Sequence, residues 1–277
     1  MRSWAHASLP ALIALSLTSA RPPVEGVIAV LGTSAQANAR LDALRGELTA
    51  AVDARDGARL AAVRTRLDSL SATVRGAAAG HYWVAVADWR LAELALAQDT
   101  LAAARRAAQG VARLDRALKL APDSVEALAL RGGLETVEAL AAKRAHDRTE
   151  IEQVARADID RALTLAPRNP RAWLFEALAT LRRRGADSTP AGPRASFGTF
   201  SKAQEMFAAA PPPAPGPPDW GWDDAYLWAG IAAMEVRNFQ FAHLMYSRAL
   251  EMNPRNSWVR HQLLPAAADS LRAPAPY

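Results

Sequence analysis

The sequence predicts an all-α protein, a solenoid of antiparallel helical hairpins with about 11 helices. Alanine and leucine dominate, 15 of the 277 residues are glycine, and aromatic residues make up 6% of the chain. These proportions favour helix over strand, because Ala and Leu lose little side-chain freedom in a helix. Two further observations support this prediction: apolar residues recur at helical spacing, and one short phrase is repeated along the chain.

The repeated phrase is Arg-Ala-Leu followed, after three further residues, by proline. It occurs at residues 116–122, 161–167 and 248–254. The first and second copies lie 45 residues apart, and the second and third lie 87 apart. Half of the longer interval predicts a degenerate copy near position 204, where Lys202-Ala203-Gln204 precedes the prolines that begin at Pro211. The period is therefore about 41–46 residues, and self-similarity of this kind predicts an array in which each repeat is one helical hairpin.

The best repeat lies in residues 225–256, where two short amphipathic segments are followed by Pro254. Its small and apolar residues are spaced as i, i+3, i+4 and i+7, the spacing of a helix with one buried face. They are Tyr226, Ala229, Gly230 and Ala233 in the first segment and Ala242, Tyr246, Ala249 and Leu250 in the second. Gly230 and Ala242 would let the two helices approach closely, and Pro254 cannot continue a helix.

This pattern resembles the tetratricopeptide repeat, whose signature is W-x2-L-G-x2-Y, then A-x3-F, then P. The chain has Tyr226-x2-Ala229-Gly230-x2-Ala233, then Ala242-x3-Tyr246, then Pro254, so it departs from the signature aromatics at the first and fourth positions. The resemblance implies a right-handed α-solenoid in which the first helix of each repeat lines the concave face. It covers about residues 80–256.

Residues 1–20 have the order of a secretory signal peptide: Arg2, an apolar run from Leu9 to Leu17, and small residues at 18–20. Cleavage after Ala20 is expected, with a site after Ala37 as the alternative. Residues 21–37 are expected to form a flexible segment. An uncleaved membrane-tethering segment is the other interpretation, and in both cases the body of the protein would face an extracytoplasmic (for example periplasmic) space.

Helices are expected from Asn38 onward. The first carries Leu41 to Val52 and ends at Asp56-Gly57, and the second carries Leu60 to Val74 and ends at Gly76 and Gly80. A third is expected from about His81 to Gln98. The pair in residues 38–76 has no recognisable repeat signature.

Reading back from each copy of the phrase predicts the buried signature positions of the other repeats. They are Gly110, Leu114 and Ala117; Leu128, Gly132, Ala155, Ile159 and Ala162; and Trp173, Ala177, Ser196, Phe200 and Ala203. Gly185 to Pro193 is expected to be a loop, and residues 211–219 a proline-rich linker in an extended conformation. A terminal helix is expected from Ser257 to Leu271, broken or kinked at Pro265, followed by a disordered tail in residues 272–277.

The composition excludes several classes of function. The chain has no cysteine, which excludes disulfides, thiolate metal sites and a cysteine nucleophile. The net charge of +5 comes with arginines that are spread along the helices and mixed with acidic residues, so nucleic-acid binding is not expected. The five histidines have no metal-ligand spacing, and Asp147 is explained as a helix N-cap. No cofactor, metal, small-molecule substrate or catalytic site is predicted.

The remaining candidate is a groove for a protein or peptide partner. The resemblance implies that the first helix of each repeat lines the concave face of this groove. The Lys and Asn residues of a carboxylate clamp are absent from those helices. Apolar anchors are expected instead, at Trp173, Leu174, Phe175, Leu178, Trp220, Trp222, Leu227, Trp228 and Ile231. The alternative is that these aromatic residues pack repeat against repeat. The predicted function is an exported non-catalytic scaffold, or else a membrane-tethered assembly factor or an accessory subunit of an envelope enzyme complex.

Overall fold

The computed structural model describes residues 24–73, 78–183, 191–210 and 218–272. Every regular element in these ranges is helical, which confirms the predicted all-α fold. The elements are α1 (Val24–Asp53), α2 (Gly57–Thr73), α3 (Ala78–Leu96), α4 (Thr100–Leu120), α5 (Val125–Leu140), α6 (Ala145–Leu165), α7 (Pro170–Arg182), α8 (Ala191–Ala209), α9 (Trp222–Glu235), α10 (Phe239–Met252), a π-helical turn (Val259–Leu263) and α11 (Leu264–Arg272).

The chain divides into one unit of residues 1–36 and a second of residues 37–277. In the first unit, residues 24–36 are described and form the start of α1. The predicted signal segment at residues 1–20, most of the proline-rich linker, and the tail after Arg272 lie outside the described residues. No helix in the described ranges has the length and hydropathy needed to cross a membrane.

The second unit is an array of helical hairpins. Helices α3 and α4, α5 and α6, α7 and α8, and α9 and α10 pack in consecutive pairs, and α10 packs on α11. The odd-numbered helices also contact one another, α3 with α5, α5 with α7, and α7 with α9. The predicted α-solenoid is confirmed, and α3, α5, α7 and α9 form one layer of it.

The signature residues lie where helices of one hairpin cross. A Cβ atom on Gly230 would be 2.4 Å from Cε1 of Tyr246, and one on Gly132 would be 2.7 Å from the carbonyl oxygen of Ala155. Both glycines therefore allow a close approach that no other residue would. Among the other predicted signature positions, Trp173, Tyr226 and Leu250 are half-buried. The rest are buried: Gly110, Leu114, Ala117, Leu128, Ala155, Ile159, Ala162, Ala177, Ser196, Phe200, Ala203, Ala229, Ala233, Ala242, Tyr246 and Ala249.

The turn after each phrase also follows one rule. Helices α4, α6 and α10 end two residues before Pro122, Pro167 and Pro254. The second residue after each proline then accepts a hydrogen bond from a backbone N–H of the next helix, which is the role of an N-cap. These residues are Ser124, bonded to Ala127 N at 3.4 Å, Asn169, bonded to Ala172 N at 2.9 Å, and Asn256, bonded to Val259 N at 3.2 Å.

Several predicted boundaries differ from the structure. Helix α1 begins at Val24 rather than at Asn38. Gly80 lies inside α3, where a Cβ would be 3.0 Å from Cβ of Ser71, so this glycine permits the contact between α2 and α3 instead of ending a helix. The N-cap of α6 is Arg144, and Asp147 lies in the first turn of the helix, where a carboxylate favours the helix dipole.

The predicted loop at residues 185–193 is shorter than expected, because α8 begins at Ala191 and includes Pro193. Proline is tolerated in a first turn, since its missing N–H would have no intrahelical partner there.

The end of the array is covered as predicted. Val259 and Ala267 are buried against Tyr246 and Ala249, so the terminal segment shields the last apolar edge. The π-helical turn lies directly before the first turn of α11, which contains Pro265. Pro265 has no N–H to donate to the preceding turn, and this missing hydrogen bond explains why the helix widens into a π-helical turn there.

Candidate functional site

Arginine side chains join helices throughout the array. Arg64 donates two hydrogen bonds to Asp88, at 2.9 and 3.1 Å, and Arg131 donates two to Asp158. Arg171 donates two to Glu126, at 2.7 and 2.8 Å. A planar guanidinium fits a carboxylate in this bidentate way, which lysine cannot do. The arginine-rich composition therefore has a structural use between helices.

Three neighbouring cavities share lining residues and are here named together the inner groove. It lies between the α1–α2 connection and α3 on one side and α9 and the terminal segment on the other. Its narrow middle is lined by Val52, Arg55, Arg90, Glu93, Asp224, Trp228 and Trp258, several of which also line one or the other end. The Trp222 end has a volume of about 310 Å³ and the Ile231 end about 380 Å³.

An ion pair between α3 and α9 forms the middle of the groove. Arg90 donates to the two carboxylate oxygens of Asp224 at 2.8 and 2.6 Å, and the two side chains are only 13% and 5% exposed. The guanidinium carbon of Arg90 also lies 4.1 Å from the ring centroid of Trp89. A bidentate pair removed from water in this way fixes the relative position of two helices that are 134 residues apart in sequence.

The Trp222 end contains an amide that connects the first and last hairpins. Asn253 Nδ2 donates to Asp53 at 2.8 Å and to Asp223 at 3.0 Å. Asn253 is the C-cap residue of α10, whereas the equivalent C-cap residues after the earlier copies of the phrase are Ala121 and Ala166. The departure of the last copy from the repeated phrase therefore has a physical cause, because only this copy must supply a donor to two carboxylates.

We expect Asn253→Ala to lower the free energy of unfolding by about 1–3 kcal/mol, because two partly buried carboxylates lose a donor. Urea unfolding followed by circular dichroism measures this change. Gln240→Ala removes an exposed amide from the same helix and is the matched control, expected within about 0.5 kcal/mol of the unmodified protein. Equal stabilities of the two variants would show that the amide bridge contributes nothing.

Asp223 has no cationic partner among the described residues. Its Oδ2 accepts hydrogen bonds from Asn253 and, at 3.3 Å, from Asn256. The ion pairs nearby involve Asp53, Asp219 and Asp224 instead. Burial and the neighbouring Asp224 carboxylate raise the pKa of Asp223 to about 6. This side chain is therefore ionised at neutral pH while its charge is balanced only by amide dipoles and by more distant guanidinium groups.

The Ile231 end is apolar. Its walls are Leu96, Trp228, Ile231, Met234, Tyr246, Trp258 and Leu263, with charged residues at the rim. At that rim the guanidinium carbon of Arg55 lies 3.6 Å from the ring centroid of Trp258. Arg55 has a φ of 54°, a left-handed conformation that allows the α1–α2 connection to turn toward the terminal segment.

Three of the sequence-predicted groove residues are in the core instead, and a fourth, Leu227, is buried but lines the middle cavity of the groove. Phe175 is 1% exposed, and its ring centroid lies 5.2 Å from that of Trp89 and 6.0 Å from that of Trp220. Leu174, Leu178 and Leu227 are 0%, 0% and 3% exposed. Because the odd-numbered helices pack on one another, this side of the helices faces its neighbours. The alternative of packing between repeats describes Leu174, Phe175 and Leu178, which are removed from the candidate site, whereas Leu227 stays in it.

Four of the other candidates lie at the two ends of the inner groove, and a fifth lies apart from it. Trp220 and Trp222 line one end of the inner groove, and Trp228 and Ile231 line the other. Trp173 lies apart from the three cavities, and its indole N–H donates to the carbonyl of Pro167 at 2.8 Å. Sequence reasoning did not assign Arg55, Arg90, Met252, Asn253 and Trp258 to the site, although the Asn253 departure from the phrase was a visible signal.

The described residues contain no group of three or more His, Asp and Glu side chains placed to hold a metal ion. The one His ion pair there joins His146 and Glu150 at 3.2 Å on the exposed surface of α6. The geometry of the site is therefore that of a groove with aromatic, aliphatic and carboxylate walls, which is suited to contact with a chain segment.

No family model and no curated protein matches the sequence. Among solved structures, the chain is similar to a thermophilic TPR protein from Thermus thermophilus, with a TM-score of 0.56 and 12% sequence identity. The match covers 83% of this chain and all of that one. The resemblance to the tetratricopeptide repeat is thus confirmed at the level of the fold.

Proposed function

We propose that this protein is an exported, non-catalytic scaffold that binds an extended segment of a protein partner in the inner groove. The observation that carries the proposal is the apolar Ile231 end, where partly exposed tryptophan, isoleucine and methionine side chains surround a cavity of about 380 Å³. Arrays of helical hairpins commonly present their binding surfaces in this way, and the fold itself does not specify the partner.

The chemistry of the Ile231 end favours apolar anchors from the partner. Trp228 and Trp258 pack edge to face with their ring centroids 6.4 Å apart, so they form a rigid aromatic wall. Tryptophan contributes a large contact area at a low cost in conformational entropy, and such residues dominate binding energy at interfaces. Export is supported by the order of charged, apolar and small residues in residues 1–20.

We expect Trp228→Ala to weaken peptide binding at least about tenfold, because it removes half of the aromatic wall. Peptides that bind the full-length protein are first selected from a random-sequence display library, and their dissociation constants are measured by fluorescence anisotropy. Trp173→Ala is the matched control, since it removes a partly exposed tryptophan outside the groove. Thermal unfolding of each variant verifies that the protein still folds.

Ile231→Asn tests the same wall from a second position and is expected to weaken the same peptides. If selected peptides bind Trp228→Ala, Ile231→Asn and the unmodified protein equally, the groove does not bind them and the proposed function is wrong.

A further inference from the structure

Within the described part of the chain, an arginine guanidinium lies over the ring of every tryptophan in the inner groove except one. The guanidinium carbon of Arg45 lies 4.6 Å from the Trp83 centroid, that of Arg182 lies 5.3 Å from Trp228, and that of Arg55 lies 3.6 Å from Trp258. Trp220 has both Arg90, at 5.5 Å, and Arg171, at 5.8 Å. These distances are those of cation–π contacts.

Trp222 is the exception. It is 40% exposed and forms part of the wall of the Trp222 end. No cation–π contact among the described residues includes this ring. Trp222 is the first residue of α9, and Asp223 follows it in the chain. An aromatic ring and a carboxylate without a cation therefore both line the same end of the groove.

The charges around this position do not balance within the residues that the structure describes. Arg90 is paired with Asp224, Arg45 lies 3.2 Å from Asp219, and Arg255 lies 3.2 Å from Asp53. Each of these three guanidinium groups already has a carboxylate, which leaves the fourth carboxylate, that of Asp223, without one. An additional cation placed here would meet an uncompensated negative charge.

Asp53 provides an independent sign that the site is incomplete. Its side chain lines the Trp222 end and is only 5% exposed, yet its Oδ2 accepts no hydrogen bond from the described residues. The nearby Arg255 approaches that oxygen as an ion pair without hydrogen-bond geometry, and its side chain is 77% exposed. A buried carboxylate oxygen that lacks a donor favours a ligand that supplies one.

We propose that the Trp222 end of the groove binds an arginine side chain of the partner segment, with its guanidinium stacked on Trp222 and donating to Asp223. This inference rests on the proposed function, because it places one side chain of the segment whose apolar part occupies the Ile231 end. Arginine fits better than lysine, since a planar guanidinium stacks on an indole and offers several donors at once. The bound arginine repeats the arrangement that the other groove tryptophans have with arginines of this chain.

The charged groups that face Asp223 also predict how this contact depends on pH. Burial and Asp224 raise the pKa of Asp223 to about 6, while Arg90 lowers it. Asp53 and Arg255 lie at the same end of the groove and carry opposite charges. Asp223 is protonated below about pH 6 and ionised above it, so affinity for a cation should rise as the pH increases through this value.

The test uses peptides selected on the full-length protein and resynthesised in pairs, with arginine or its neutral isostere citrulline at the same position. We expect arginine to bind at least about tenfold more tightly than citrulline near neutral pH, and the ratio to shrink at about pH 5. In Asp223→Asn and Trp222→Leu, the ratio of arginine to citrulline affinity should fall toward one. Asp269→Asn, which alters a surface ion pair with Arg272, is the control and should keep the ratio.

Each outcome decides between the two proposals. Equal binding of arginine and citrulline peptides, with binding still lost in Trp228→Ala, would overturn the arginine site and leave the proposed function intact. A ratio that survives in both Asp223→Asn and Trp222→Leu would place the arginine elsewhere and overturn the assignment. If no selected peptide depends on Trp228, both proposals are wrong.

Discussion

Arg90→Met is expected to lower the free energy of unfolding by about 3–5 kcal/mol, because it leaves the carboxylate of Asp224 buried without its cation. Asp224 is 4% exposed, and two hydrogen bonds from Arg90 account for both of its oxygens. The substitution keeps most of the side-chain volume, so the loss reports the unpaired charge rather than a cavity. Urea unfolding followed by circular dichroism at neutral pH measures it.

Two controls make the result specific. Arg90→Met combined with Asp224→Leu removes both charges and should recover most of the lost stability, since a buried ion pair contributes little compared with apolar residues of similar volume. Arg248→Met breaks a pair with Glu251 whose side chains are 53% and 52% exposed, and should leave the free energy of unfolding nearly unchanged. A double variant as unstable as Arg90→Met alone would contradict this explanation.

Gly133→Ala is expected to destabilise the protein by about 1–3 kcal/mol through overpacking. A Cβ at this position would lie 2.1 Å from Cδ1 of Phe175, so the ring must move. The ring has no free direction, because it is buried between Trp89 and Trp220. Thermal and urea unfolding measure the loss.

The matched control is Gly198→Ala, at an exposed position of α8 where a Cβ would meet nothing within 4 Å. Alanine there should stabilise the helix by about 0.5–1 kcal/mol. If Gly133→Ala were as stable as Gly198→Ala, the contact between α5 and α7 would be looser than the structure indicates. Partial recovery in Gly133→Ala combined with Phe175→Leu would identify the ring as the obstacle.

The hairpins could be predicted because the information that specifies them is local. The phrase ending at Pro167 determines where α6 ends, and the small residue Gly132 determines where α5 crosses it. Helical spacing, small residues at a crossing, and a proline after the last turn all act within one repeat. The same local signals also contained the N-caps Ser124 and Asn169, which the sequence analysis did not use.

The groove could be predicted only in part, because burial of its residues depends on distant repeats. Phe175 and Trp228 belong to equivalent apolar stretches of two repeats, yet one lies in the core and the other lines the groove. The difference arises because Phe175 packs against Trp89 and Trp220, which lie far from it in sequence. Sequence spacing gives the side of a helix that is apolar, and only the arrangement of the other helices decides what covers it.

The Asn253–Asp53 hydrogen bond spans 200 residues of sequence. A nascent chain that leaves the ribosome with its amino end first therefore carries an Asp53 carboxylate that lacks its Asn253 donor until residue 253 has been synthesised. Early hairpins of a repeat array can form without later ones, since each contacts mainly its neighbours. Here Asn253 of the α10 C-cap completes the surroundings of Asp53 in α1, so the Trp222 end of the inner groove cannot be complete until that residue has been synthesised.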